Sequence, residues 1–73
     1  MEIKSYIMYN PDFNIIHHCA ICVGNALERE FECLQLAMGE PWMIIVLDGD
    51  YRDYPYYILQ EKCRNFARGD LYI

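Results

Sequence analysis

The period of apolar and polar positions changes along this chain, and each change marks an expected element. Residues 2–9 set Ile3, Ser5, Ile7 and Tyr9 on one side and Glu2, Lys4, Tyr6 and Met8 on the other, a period-two pattern rich in β-formers. A strand is predicted there. Asn10, Pro11 and Asp12 supply turn chemistry, because proline fixes φ and its polar neighbours bond nearby backbone. Residues 14–23 fit two patterns. Ile15, Ile16, Ile21 and Val23 favour a strand, whereas Phe13, Ile16, Ala20, Leu27, Phe31, Leu34 and Met38 fit one face of a long helix. Gly24-Asn25 tips the reading toward the strand, since a glycine inside a helix costs about 1 kcal/mol relative to alanine.

Over residues 26–38, Leu27, Phe31, Leu34 and Met38 recur at helical spacing, with Glu28 and Glu32 together on one flank. Gly39, Glu40 and Pro41 stop that helix. Residues 42–47 are a continuous apolar run between turn signals, the pattern of a strand at the centre of a sheet with both faces covered. A loop follows over residues 48–53, and Pro55 suits the first turn of a second helix. In that helix Leu59, Cys63 and Phe66 share a face, Lys62, Arg64 and Arg68 favour the C-terminal end, and Gly69 is the expected cap. Residues 71–73 read as a short last strand. The expected class is α/β, specifically an α+β two-layer sandwich. Its order is ββαβαβ, with two helices on one face of a small mixed sheet, in a single domain spanning 1–73.

Composition narrows the partners. With 73 residues the chain supports one core, and 55% hydrophobic against 23% charged residues excludes a disordered polymer. So small a domain leaves part of its apolar surface outside, which predicts an interface, a two-fold homodimer being the commonest closed form. The net charge of −5 argues against direct nucleic-acid binding, which relies on Lys and Arg at phosphates. The acid is also localised. Residues 1–53 carry nine carboxylates against three cations, and the rest carries two against three. The apolar run over residues 42–47 is too short to span a membrane, and Glu2, Lys4 and Asp12 break any signal-like stretch, so a cytoplasmic location with reduced thiols is expected.

Three groups of residues carry candidate chemistry. His17, His18, Cys19 and Cys22 are of the types that bind zinc, and a Cys-x-x-Cys pair can grip one ion, but the second pair of a closed site is missing. A metal-binding or thiol-redox module centred on these four is the alternative reading; core packing of the two cysteines is the simpler one. Asp48-Gly-Asp50 after an apolar strand resembles the first motif of haloacid-dehalogenase-type phosphatases, which implies a nucleophile and an acid working with magnesium. Arg52 stands where that family has Thr or Val, and the family's core needs a much longer chain. A calcium loop fails similarly, with Arg52 at a ligand position and Leu59 where a bidentate Glu belongs. With no nucleophile–base pairing and no glycine-rich phosphate loop to argue from, no enzyme activity and no cofactor are expected. The third group is Tyr51, Tyr54, Tyr56 and Tyr57 among Asp48, Asp50, Arg52 and Asp53, residue types that interfaces favour. The leading expectation is therefore a small acidic protein-binding domain, an inhibitor or adaptor. It would use Glu28, Glu32, Asp48, Asp50, Asp53, Tyr51 and Tyr54 against a basic surface of a partner protein.

Overall fold

A computed structural model describes residues 2–23 and 27–69. The chain forms β1 (Ile3–Asn10), β2 (Ile15–Val23), α1 (Glu28–Met38), β3 (Met43–Asp48) and α2 (Tyr56–Ala67). The expected last strand, at residues 71–73, lies outside the described residues. No helix among the described residues is long and apolar enough to cross a membrane.

The β1–β2 hairpin is closed by its own side chains. Asn10 Oδ1 accepts the backbone N–H groups of Asp12 at 3.0 Å and Phe13 at 3.3 Å. Asn14 takes a left-handed φ of 55°, which a short polar residue tolerates, and its Oδ1 accepts the Tyr9 hydroxyl at 2.6 Å. The strand reading of residues 14–23 therefore holds over Ile15–Val23, which pairs antiparallel with β1 from Ile3↔Val23 to Asn10↔Ile15.

Three expectations about the sheet are corrected. First, the strand order among the described residues is β2-β1-β3, so β3 lies at an edge of the described sheet and β1 at its centre. The apolar run of β3 reports cover on both faces, which an edge strand can also have. Second, β1 pairs antiparallel with both neighbours, so the described sheet is antiparallel and not mixed. Third, the two helices cover opposite faces. α1 lays Leu27, Phe31, Leu34 and Met38 on Tyr6, Met8, Ala20, Cys22, Ile44 and Val46. α2 lays Leu59, Cys63 and Ala67 on Ile7, Tyr9, Ile16, Cys19, Ile45 and Met43. The reason is the side that carries Glu2 and Lys4: it also carries Tyr6 and Met8, which are buried and need their own cover. Phe66, expected on the inner face of α2, is half exposed, because Ala67 falls closer to the line through Leu59 and Cys63.

The end of β3 is fastened to the start of β1. Gly49 N–H donates to the Ile3 carbonyl at 2.8 Å, and at a φ of 108° this position favours glycine. Ser5, fully buried, donates its hydroxyl to the Gly49 carbonyl at 2.8 Å and accepts the Tyr51 N–H at 2.9 Å. One hydroxyl thus draws the loop under the α2 face of the sheet. Ser5→Ala leaves both loop groups without this partner, and urea unfolding should show a loss of about 1–3 kcal/mol. A variant as stable as the parent would show that the hydroxyl does not hold the loop.

Candidate functional site

A strand alternates its side chains between faces, and this rule separates the histidine–cysteine group. Met8 pairs with His18 and Tyr9 with Ile16, so His17 is an extra residue in a bulge. The bulge turns both imidazoles to the α1 face. His17 meets the Trp42 ring edge-on at 5.7 Å, and His18 stacks on Phe31 at 5.5 Å. Cys22 packs into the core under α1, while Cys19, three positions earlier, packs into the core under α2. The two thiols of the Cys-x-x-Cys pair therefore leave opposite faces and cannot grip one ion between them. Among the described residues no three His, Cys, Asp or Glu side chains converge to hold a metal.

The thiols are also poorly disposed to ionise. Burial pushes the Cys63 thiol up to about 12. Cys19 is raised as well, by burial first and by the nearby Asp50 carboxylate second. Cys33 is a free thiol on the exposed side of α1.

The acidic and tyrosine residues divide between two sides of the molecule. On the α2 side, Tyr51 packs against the core, its ring lies 4.6 Å from that of Tyr54, and Lys62 Nζ sits 5.4 Å from its centroid. Asp50 grips Arg52 with both oxygens, at 3.1 Å to Nε and 2.9 Å to Nη2. These bonds hold the Asp50 carboxyl below the usual carboxylate range. Asp53 is exposed in the same loop. Asp50, Tyr51 and Tyr54 thus make contacts within the loop and with α2.

The other acids gather beside β3. Asp48, at the end of that strand, shares its parity with Ile44 and Val46, which face α1, and its side chain is 92% exposed although Lys4 Nζ stands 3.7 Å away. Glu28 and Glu32 are exposed on one flank of α1. Gln35 lies on that same flank and donates to the Trp42 carbonyl at 3.3 Å, just before β3 begins. That bond sets the Gln35 end of this flank beside the start of β3. The structure brings Glu28, Glu32 and Asp48 to one side of the sheet and keeps Asp50, Tyr51 and Tyr54 with the other.

Sequence reasoning missed Gln60, and named Tyr56 only as one of the loop tyrosines, not for its bond to β2. The Tyr56 hydroxyl accepts the Ile16 N–H at 2.8 Å and donates to the Ile16 carbonyl at 3.4 Å, and Gln60 Nε2 donates to the Asn14 carbonyl at 2.7 Å. These side chains finish the outer edge of β2. Gln60 falls near the inner face of α2, but its partner 46 positions away has no local signal.

Comparison with protein families, curated proteins and solved structures finds no match to this chain.

The thiols offer a direct check. At pH 8 a thiol reagent followed by mass spectrometry should modify Cys33 first and Cys63 only on unfolding, because a buried thiol with a raised pKa supplies almost no thiolate. Early labelling of Cys63 would contradict its burial. The same shift sets a pH dependence. The unfolded Cys63 thiol ionises near ~8.5, whereas the folded one holds its proton up to about 12, so stability is full below the lower value and falls as pH rises through the window. Urea midpoints measured from pH 8 to pH 11 should decline, and Cys63→Ala should start lower and decline less steeply.

Proposed function

We propose that this chain is a small acidic protein-binding domain, an inhibitor or adaptor that docks on a basic surface of a partner protein. The observation that supports this reading is that Glu28, Glu32 and Asp48 are all exposed on the α1 side of the sheet. Carboxylates at a rim steer a cationic partner and speed its association. Leu36, one helical turn after Glu32 and 84% exposed, offers an apolar contact beside them. The reading draws on fewer loop residues than the sequence suggested. Asp50 is engaged by Arg52, and Tyr51 by Tyr54 and Lys62, so these serve the loop before any partner arrives.

A metal or thiol-redox role for His17, His18, Cys19 and Cys22 would need those side chains on one side of the sheet. They leave from both.

The test is affinity capture from host lysate at low and at high salt, with the parent and with the triple variant Glu28→Gln/Glu32→Gln/Asp48→Asn. A captured partner should elute with salt, and the triple variant should bind roughly tenfold more weakly, as expected from three exposed charges contributing about 0.5 kcal/mol each. Capture that is indifferent to salt and to the triple substitution would sink the reading.

A further inference from the structure

The two outer edges of the sheet are finished differently. On β2 the His17 bulge interrupts the ladder, and the Tyr56 hydroxyl occupies both the N–H and the carbonyl of Ile16. On β3 the register with β1 runs without a break from Met43 to Asp48. The strand Met-Ile-Ile-Val-Leu-Asp contains no proline and no lysine, the residues that blunt exposed edges. Among the described residues no strand lies beyond it.

The phase of its outward groups follows from one bond. Gly49 N–H donates to the Ile3 carbonyl, which makes Ile3 and Gly49 a hydrogen-bonded pair. Antiparallel ladders alternate bonded and non-bonded pairs, so Ser5/Leu47, Ile7/Ile45 and Tyr9/Met43 are bonded pairs too. The N–H and C=O groups of Ile44 and Val46 then point away from β1, toward the open edge. At the start of the strand the Trp42 carbonyl is already taken by Gln35.

We infer that the outer edge of β3 receives an extended basic segment of the partner protein as an added fourth strand. This rests on the acidic docking reading and supplies its mode: main-chain bonds to Ile44 and Val46 give affinity, and alternate side chains give selectivity. Charge selects the occupant. Side chains of an added strand that rise on the α1 face share that side with the exposed carboxylates of Glu28, Glu32 and Asp48, so lysine or arginine belongs at every second position. Those on the α2 face extend the row of Met43, Ile45 and Leu47 and call for valine, isoleucine or threonine. A second copy of this chain fits badly. Two-fold pairing of β3 edges keeps one continuous sheet, so the two α1 helices would stand on the same face with their Glu28–Glu32 flanks opposed.

The experiment titrates the full chain, labelled with nitrogen-15, with a peptide of alternating lysine and valine matched in length to β3. Modifying the peptide leaves the protein's own fold intact. Its amide exchange at Ile44 and Val46 should slow roughly tenfold or more on binding, and N-methylation of alternate peptide nitrogens should weaken binding by roughly tenfold in at least one of the two phases, since one edge of the peptide is then blocked. Binding that keeps its strength in both N-methylated phases overturns strand addition and leaves the acidic docking surface standing. So does binding of polylysine without binding of the alternating peptide. If neither binds, both readings fall. A salt-independent dimer that protects the Ile44 and Val46 amides would give the edge to a second copy and overturn the inference as well.

Discussion

Everything in this fold depends on a central strand that has no solvent side. β1 is paired on both edges and covered on both faces, with every residue from Ser5 to Asn10 buried. A strand in that position must spend its few polar groups well. Ser5 and Asn10, the two buried polar residues of the described chain, each tie a neighbouring turn: the hydroxyl binds the loop after β3, and the amide oxygen closes the hairpin. Their placement converts the desolvation penalty of a buried polar group into fixed connections. The helices follow from the same constraint, one for each apolar side of β1.

Local chemistry was legible. The α1 stripe, the asparagine–proline turn and the start of α2 beside Pro55 are all determined by neighbours in sequence, and they appear where the periodicity puts them, while the expected break at Gly24-Asn25 lies outside the described residues. Long-range arrangement was not. The parity shared by Glu2, Lys4, Tyr6 and Met8 mixes an exposed strand end with a buried middle, which disguised one of the two core faces as a solvent face. An uninterrupted apolar strand such as β3 reports its coverage and says nothing of its place in the order. The acidic group misled for a similar reason: Asp48 and Asp50 are two residues apart, yet the Ser5 hydroxyl turns the chain between them to the other side of the sheet. Glu28 and Glu32 were readable as one flank, but that this flank meets the start of β3 at Gln35 is visible only through its bond to Trp42.

The margins of the described sheet are closed unequally. A helix is about as wide as two strands of a sheet, so single helices on each face leave the margins of three strands to be managed by other means. β2 has its margin closed by a bulge, a tyrosine hydroxyl and a glutamine amide. β3 has apolar faces and a carboxylate fringe.

The order in which the parts appear along the chain has a consequence for synthesis. β1 precedes everything that shelters it: β2 comes next, α1 and β3 follow, and Leu59 and Cys63 arrive only with α2. A nascent hairpin of β1 and β2 would show bare apolar surface on both sides, and two strands alone are marginal in water. The core can therefore close only when α2 has left the ribosome, and until then Ile7 and Tyr9 lack the Leu59 and Cys63 side chains that cover them.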